Sequence, residues 1–199
     1  MIDLRREQPQ DAAAIREVER LAFGRDAEAD LVDALRDAGA WALSLVAVEI
    51  PQMDEAAAAP DLDWAPGGGE GRVEGHVLFT RVTVATPGGD EMSLLGLGPV
   101  AVAPWRRGEG IGTMLIEAGL ELMRGGAYPA VVVVGSPKYY ARFGFLPASQ
   151  WGLHYVGDAS EDDLMAVELS PGSLAGIRGL VRFRPEFAGI QALRMTGQP

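Results

Sequence analysis

The chain is 199 residues long, 48% apolar and 23% charged, which supports one globular domain with a sizeable core and excludes a disordered chain. It has no cysteine and two histidines, so disulfides and thiolate metal sites are excluded and a histidine metal site is disfavoured. A net charge of −11 speaks against nucleic acid as a partner, and no run approaches the roughly 18 apolar residues that span a bilayer.

Met1 to Glu7 lacks the apolar core of a secretory leader, so the expectation is a soluble, cytoplasmic protein. Ile2 to Arg5 reads as a short strand, and Pro9-Gln10-Asp11 opens a helix, since proline and an acid suit a first turn. Ala14, Ile15, Val18, Leu21 and Ala22 recur at helical spacing up to Phe23-Gly24. A second amphipathic helix carries Leu31, Val32 and Leu35 inward and stops at Gly39. Trp41 to Ile50 is apolar and partly β-branched, a strand. Pro51 to Gly71 then holds five acidic residues and no basic one, with an alanine run, three prolines and Gly67-Gly68-Gly69. That composition reads as a flexible insertion between two strands, with a lid over the site as the functional alternative.

Gly75 to Val84 is a further strand, joined through Pro87-Gly88-Gly89-Asp90 to a partner at Met92 to Val102, as a hairpin. Gly96, Gly98 and Pro99 interrupt the partner, which places a bulge or a close backbone approach there. Gly112 to Arg124 is a helix with Met114, Leu115, Ala118 and Leu122 expected inward. Tyr128 to Val134 is an almost unbroken apolar run, the pattern of a strand buried inside a sheet. Ser136-Pro137 starts a short helix through Phe143, closed by Gly144. The rest, residues 146–199, is turn-rich apart from an alternating stretch at Leu164 to Leu169, and is expected to pack on the domain as an extension. The order of elements describes a mixed α/β (α+β) domain around one central sheet.

The chemistry is concentrated in Leu97 to Thr113, where a strand runs into a turn with Gly108, Gly110 and Gly112 and then directly into a helix. Glycines let successive backbone N–H groups point into one concavity, and the helix start adds unsatisfied donors and the positive end of its dipole. Such a cradle suits a pyrophosphate, with Arg106 and Arg107 adding charge at its rim. A Walker A loop would need Gly-Lys before Thr113, and a dinucleotide fingerprint would need G-x-G-x-x-G where this chain has G-x-G-x-G. A kinase loop lies between two strands rather than before a helix. The remaining alternative is a turn that holds no ligand.

Arg107-Gly108-Glu109-Gly110-Ile111-Gly112 resembles the Q/R-x-x-G-x-G/A signature of the GNAT superfamily of N-acetyltransferases, at the strand-to-helix junction where that family carries it. Tyr139-Tyr140-Ala141-Arg142-Phe143-Gly144-Phe145 resembles the family's second motif, on the short helix after the following strand. Element order is similar from Ile2 to at least Phe145, and the later part is similar to the bacterial subgroup related to YhbS. The resemblance implies a single domain with a mixed, mostly antiparallel sheet splayed at its middle and helices on both faces. It implies an acyltransferase that uses acetyl-CoA as cosubstrate, without a metal, and moves the acetyl group to a small-molecule or peptide amine.

By that resemblance, backbone groups of Val100, Ala101 and Val102 bind the pantetheine arm, and Arg107, Gly108, Gly110, Gly112 and Thr113 hold the pyrophosphate. Tyr140 occupies the position that protonates the leaving thiolate, with Tyr139 expected in the core. The general base is not assigned: Ser93 to Val102 holds no acid, and Glu74, His76 and Glu91 are the nearest candidates. A coenzyme-binding sensor without turnover is the alternative function. The sequence names neither the acceptor nor the oligomeric state, and a homodimer is allowed.

Overall fold

The computed structural model describes residues 1–50, 71–155 and 163–188. The expected insertion at 51–71 lies outside them apart from Gly71. Strand β1 (Ile2–Arg6) leads through a 3₁₀ turn into α1 (Ala12–Phe23), and α2 (Ala27–Asp37) follows. Three long strands come next: β2 (Trp41–Glu49), β3 (Arg72–Ala85) and β4 (Glu91–Val102). Helix α3 (Ile111–Met123), β5 (Ala130–Val134) and the short α4 (Pro137–Tyr140) complete the part that carries both motifs. The C-terminal part adds β6 (Leu146–Pro147), β7 (Leu153–Tyr155), β8 (Leu164–Glu168) and β9 (Gly179–Arg182).

One sheet takes the order β1-β2-β3-β4-β5-β8-β6, with β9 joining the far half of β3 where β2 has ended, and β7 pairing β9. The described pairs are antiparallel except β4–β5 and β7–β9. The sheet is therefore mixed and mostly antiparallel, and the described C-terminal part joins it through β6 to β9.

Helices cover both faces because the strands are apolar on both. On one face α3 lays Ile111, Leu115, Ile116 and Leu120 against Leu45, Phe79, Leu97 and Val133. On the other, Ile15 and Val18 of α1 and Leu31 and Leu35 of α2 pack on Val46, Leu78 and Ala101. Each such buried aliphatic contributes roughly 1.5–3 kcal/mol. Two of the residues expected inward on α3 are not: Met114 is 37% and Leu122 50% exposed. The helix starts at Ile111, one residue before the expected Gly112, and its buried stripe runs through Ile111, Leu115, Gly119 and Leu120 instead. Helix α3 comes close enough to β3 that Gly119 lies directly over the Phe79 ring.

Candidate active site

The site begins where two strands part. β4 and the parallel β5 pair only at Leu95–Val131 and Gly96–Val132, and beyond Gly96 the described ladder between them ends. On its other edge β4 stays paired with β3, Val77 opposite Val100 and Phe79 opposite Leu97, so Gly98 and Pro99 together face the single residue Leu78. That two-against-one count is a bulge, at the place where the sequence is interrupted. It also shifts the alternation: Leu95 and Leu97 face the α3 side before it, Val100 and Val102 after it. Gly98 takes φ +133°, a conformation side chains rarely adopt. Past Gly96 the edge of β4 that faced β5 has no strand paired to it among the described residues, a gap in the ladder that runs along Leu97 to Val102.

At the mouth of the gap lies the glycine turn. Gly108 (φ +84°) and Gly110 (φ +83°) are left-handed, and Gly110 is the N-cap of α3. A glycine cap offers no side chain to the first-turn N–H groups, which leaves them directed at the turn's own concavity. A Cβ at either glycine would meet no atom within 4 Å, so the turn faces open space. Thr113, in the first turn of α3, accepts a hydrogen bond from Arg142 Nη2 at 3.0 Å, which brings a cation from the second motif to the loop of the first. The two arginines of the turn differ. Arg106 is held by Glu49 and Glu109, each at 3.2 Å, and is committed to the protein. Arg107 is exposed and donates to the Ala22 carbonyl at the end of α1, at 2.5 Å.

Tyr139 and Tyr140 stand edge to face, ring centroids 5.1 Å apart, with Phe145 5.7 Å from Tyr140. Both are half-buried and pack on the α3-side core, Tyr139 no more than Tyr140. Burial pushes both phenols above their ordinary range, Tyr140 further, so each stays protonated at neutral pH. Tyr140 reaches its place because Gly135, just past β5, has no side chain: a Cβ there would lie 2.6 Å from Tyr140 Cε2. Arg142 lies over the rings of Tyr139 and Phe143, its Cζ 5.3 Å from each centroid.

The three acid–base candidates near the strands separate sharply. Glu91 is exposed at the start of β4, at the other end of that strand from the gap. Glu74 is buried and accepts from Arg72 and from Trp105 Nε1. His76 is fully buried on the α1 side, its Nδ1 2.6 Å from Glu19 Oε1 and its Nε2 2.9 Å from Ser44 Oγ, and Ser44 donates to Glu7. Among the described residues no cluster of three or more His, Cys, Asp or Glu could hold a metal, and no helix is long and apolar enough to cross a membrane.

A bulged strand, a parting from its parallel neighbour, and a glycine-capped helix at the gap can be compared with known proteins as a unit. The family profile described as "Acetyltransferase (GNAT) domain" matches residues 4–148. The chain belongs to the GNAT acetyltransferases. It is 33% identical over 184 residues to the uncharacterized N-acetyltransferase YhbS of Escherichia coli K12, covering 92% of this chain and 97% of that one. The crystal structure of Escherichia coli YhbS in complex with CoA superposes with a TM-score of 0.78, over 94% of this chain and 91% of the other. A GNAT acetyltransferase of Brucella melitensis in complex with acetyl-CoA is 34% identical, with a TM-score of 0.68 over 94% and 98% of the two chains. As a member of this family the chain is an acyltransferase with the GNAT fold.

The structure also brings up residues that the sequence did not single out. Arg142 lies inside the second motif, and its spacing from Tyr139 is its only signal in the sequence. Glu7, Glu19 and Ser44 carried none, being scattered over three elements and joined only by folding.

Proposed function

We propose that this GNAT enzyme transfers an acetyl group from acetyl-CoA to an amine by direct attack on the thioester. The observation that carries the reading is the parting of β4 from β5 at Gly96, directly before the bulge and beside a glycine-capped helix. It suits a coenzyme with an extended amide-bearing arm and a diphosphate. The backbone of Val100, Ala101 and Val102 pairs with the arm as a strand would, and the turn from Arg107 through Gly108, Gly110, Gly112 and Thr113 receives the diphosphate. The complexes of the two relatives with CoA and acetyl-CoA support this use of the gap.

A neutral amine adds to the thioester carbonyl, a backbone N–H at Val100 stabilises the oxyanion, and collapse expels the thiolate. A thiol has a pKa of about 8.5, so Tyr140, protonated throughout the physiological range, hydrogen-bonds the departing sulfur and yields its proton as charge builds there. Phe183 of the C-terminal part approaches Gly96 closely from the α1 side and is suited to line the acceptor pocket.

Acetyl-CoA at a hundred times its Kd should raise Tm by about 5–10 °C for a domain of this size. Gly110→Trp should remove the shift by filling the turn. Thiol release over a panel of amines should show turnover, lowered about 10²-fold in Tyr140→Phe with the thermal shift intact. Binding without turnover across the panel would make the protein a coenzyme sensor instead, and no shift with any acyl-CoA would overturn both.

A further inference from the structure

The second motif brings a cation to the glycine turn, and no acid accounts for it. Arg142, two residues past Tyr140, is exposed, and its Nη2 donates to Thr113 Oγ1 at 3.0 Å in the first turn of α3. Its guanidinium also lies over the rings of Tyr139 and Phe143, with Cζ 5.3 Å from each centroid. Among the described residues no carboxylate pairs with it, although acids outnumber Lys and Arg 28 to 17 in the chain.

For the protein alone this placement is unfavourable. A helix start carries the positive end of the backbone dipole, so a guanidinium held there is repelled. Gly110 offers no side-chain oxygen to offset it, and Arg107 adds a second cation to the same turn. Glu109, the acid of the turn, is taken by Arg106 at 3.2 Å. An anion seated among the first-turn N–H groups, Arg107 and Arg142 relieves all three at once, and the coenzyme's diphosphate is such an anion.

The ring contacts carry the consequence further. Tyr139 stands edge to face on Tyr140 with 5.1 Å between centroids, and Tyr140 lies 5.7 Å from Phe145. Tyr140 ends the four-residue α4, and Arg142 sits in the 3₁₀ turn Ala141–Phe143 that continues it, so a pull on Arg142 is felt at Tyr140. We infer that Arg142 closes the second motif on the coenzyme: it leaves Thr113 for the diphosphate and, through α4 and the Tyr139 ring, seats Tyr140 at the thioester. Arg142 thus binds the diphosphate and is a positioning residue for Tyr140. Thr113 Oγ1, released from Arg142, donates its own proton to the same phosphate oxygens. Binding energy gained at the diphosphate end is thereby used at the reacting end.

The seating of Tyr140 rests on the acetyl-transfer reading, whereas the diphosphate contact does not, and the experiment keeps the two apart. CoA affinity should be measured by calorimetry for wild type, Arg142→Gln and Arg142→Lys, with Tm as the control for folding. Arg142→Gln should weaken CoA about 10–100-fold, the loss expected for a charge-assisted contact to phosphate. Arg142→Lys, which keeps the charge without the fork, should fall between. ADP, which carries a diphosphate without the pantetheine arm, should compete with CoA in wild type and weaken in parallel in Arg142→Gln. Wild-type CoA affinity in Arg142→Gln would overturn the closure whatever the activity.

Thiol release with a reactive amine then reads the seating of Tyr140. At saturating acetyl-CoA, kcat of Arg142→Gln should be about 10-fold below wild type. With S-acetylpantetheine, which lacks the diphosphate, kcat/KM should be the same in the two proteins. A wild-type kcat with acetyl-CoA would overturn the seating, and so would an equal loss with both thioesters, which would mean that Arg142 only packs on the rings. No turnover in wild type would instead overturn the acetyltransferase reading, and calorimetry would still decide the closure.

Discussion

At the scale of single residues, the site depends on what glycines leave out. Gly135 leaves the space that the Tyr140 ring occupies, and an added Cβ would stand 2.6 Å from its Cε2. Gly135→Ala should therefore displace the ring by about an ångström and lower kcat about 10²-fold, with acetyl-CoA affinity and Tm little changed. Thiol-release kinetics check this, and wild-type kcat in the variant would mean that the position of Tyr140 is not set by Gly135. Tyr140 and the glycines of the turn were legible in the sequence because motifs record residue type and spacing together. The sequence offers Arg106 with Arg107 as rim charge, yet the fold ties it to Glu49 and Glu109. Which of two adjacent arginines is tied into ion pairs depends on acids 57 residues away and three residues away, and only the first of these lies beyond local reasoning.

At the scale of elements, β4 shows how one local irregularity positions a site. The bulge at Gly98-Pro99 moves the α3-facing positions from odd to even numbers, and the ladder to β5 stops just before it. Helix α3 must then sit close to β3 to aim its start at the gap, and Gly75 and Gly119 permit that approach. Gly119→Ala would drive a methyl group into the Phe79 ring. The expected cost is about 1–3 kcal/mol of overpacking, against up to about 1 kcal/mol gained in helix propensity. Denaturant unfolding would show a lower midpoint, whereas a midpoint at or above wild type would mean the contact relaxes freely. The periodicity of α3 predicted a helix but misjudged its buried stripe. Its sequence is apolar nearly all round, and the start at Ile111 rather than Gly112 rotates the choice towards Ile116 and Leu120.

At the scale of the whole molecule, the buried Glu19–His76 pair gives stability a distinctive dependence on pH. His76 falls from 6.5 to about 3 on folding, so alone it would cost stability as pH drops below 6.5. Glu19 rises well above 4.5, so alone it contributes stability at low pH that is lost as pH rises through its folded value. Between 4.5 and 6.5 the folded pair holds one proton and the unfolded pair also holds one, so the pair's contribution is level there. Above that window the unfolded chain has released its proton first, and stability falls by about 1.4 kcal/mol per pH unit until Glu19 ionises. Glu19→Gln keeps a donor for His76 but removes this titration. The stability of wild type minus that of Glu19→Gln should thus fall with pH from 4.5 upward, measured by denaturant unfolding across the range. A difference that is flat above pH 4.5 would mean that Glu19 is a carboxylate.

The sequence by itself determined the element order as far as Phe145, the glycine-rich helix start, the irregularity in β4 and the family these belong to, because each is written in contiguous residues. It could not join Glu7, Glu19, Ser44 and His76, because they lie on separate segments up to 69 positions apart and become neighbours only when α1 closes over the sheet. The protonation states of Glu19 and His76 are likewise a product of tertiary structure, since burial shifts both and no local pattern encodes burial of a polar group. The folded chain decided that the histidine of β3 is a neutral link between two acids.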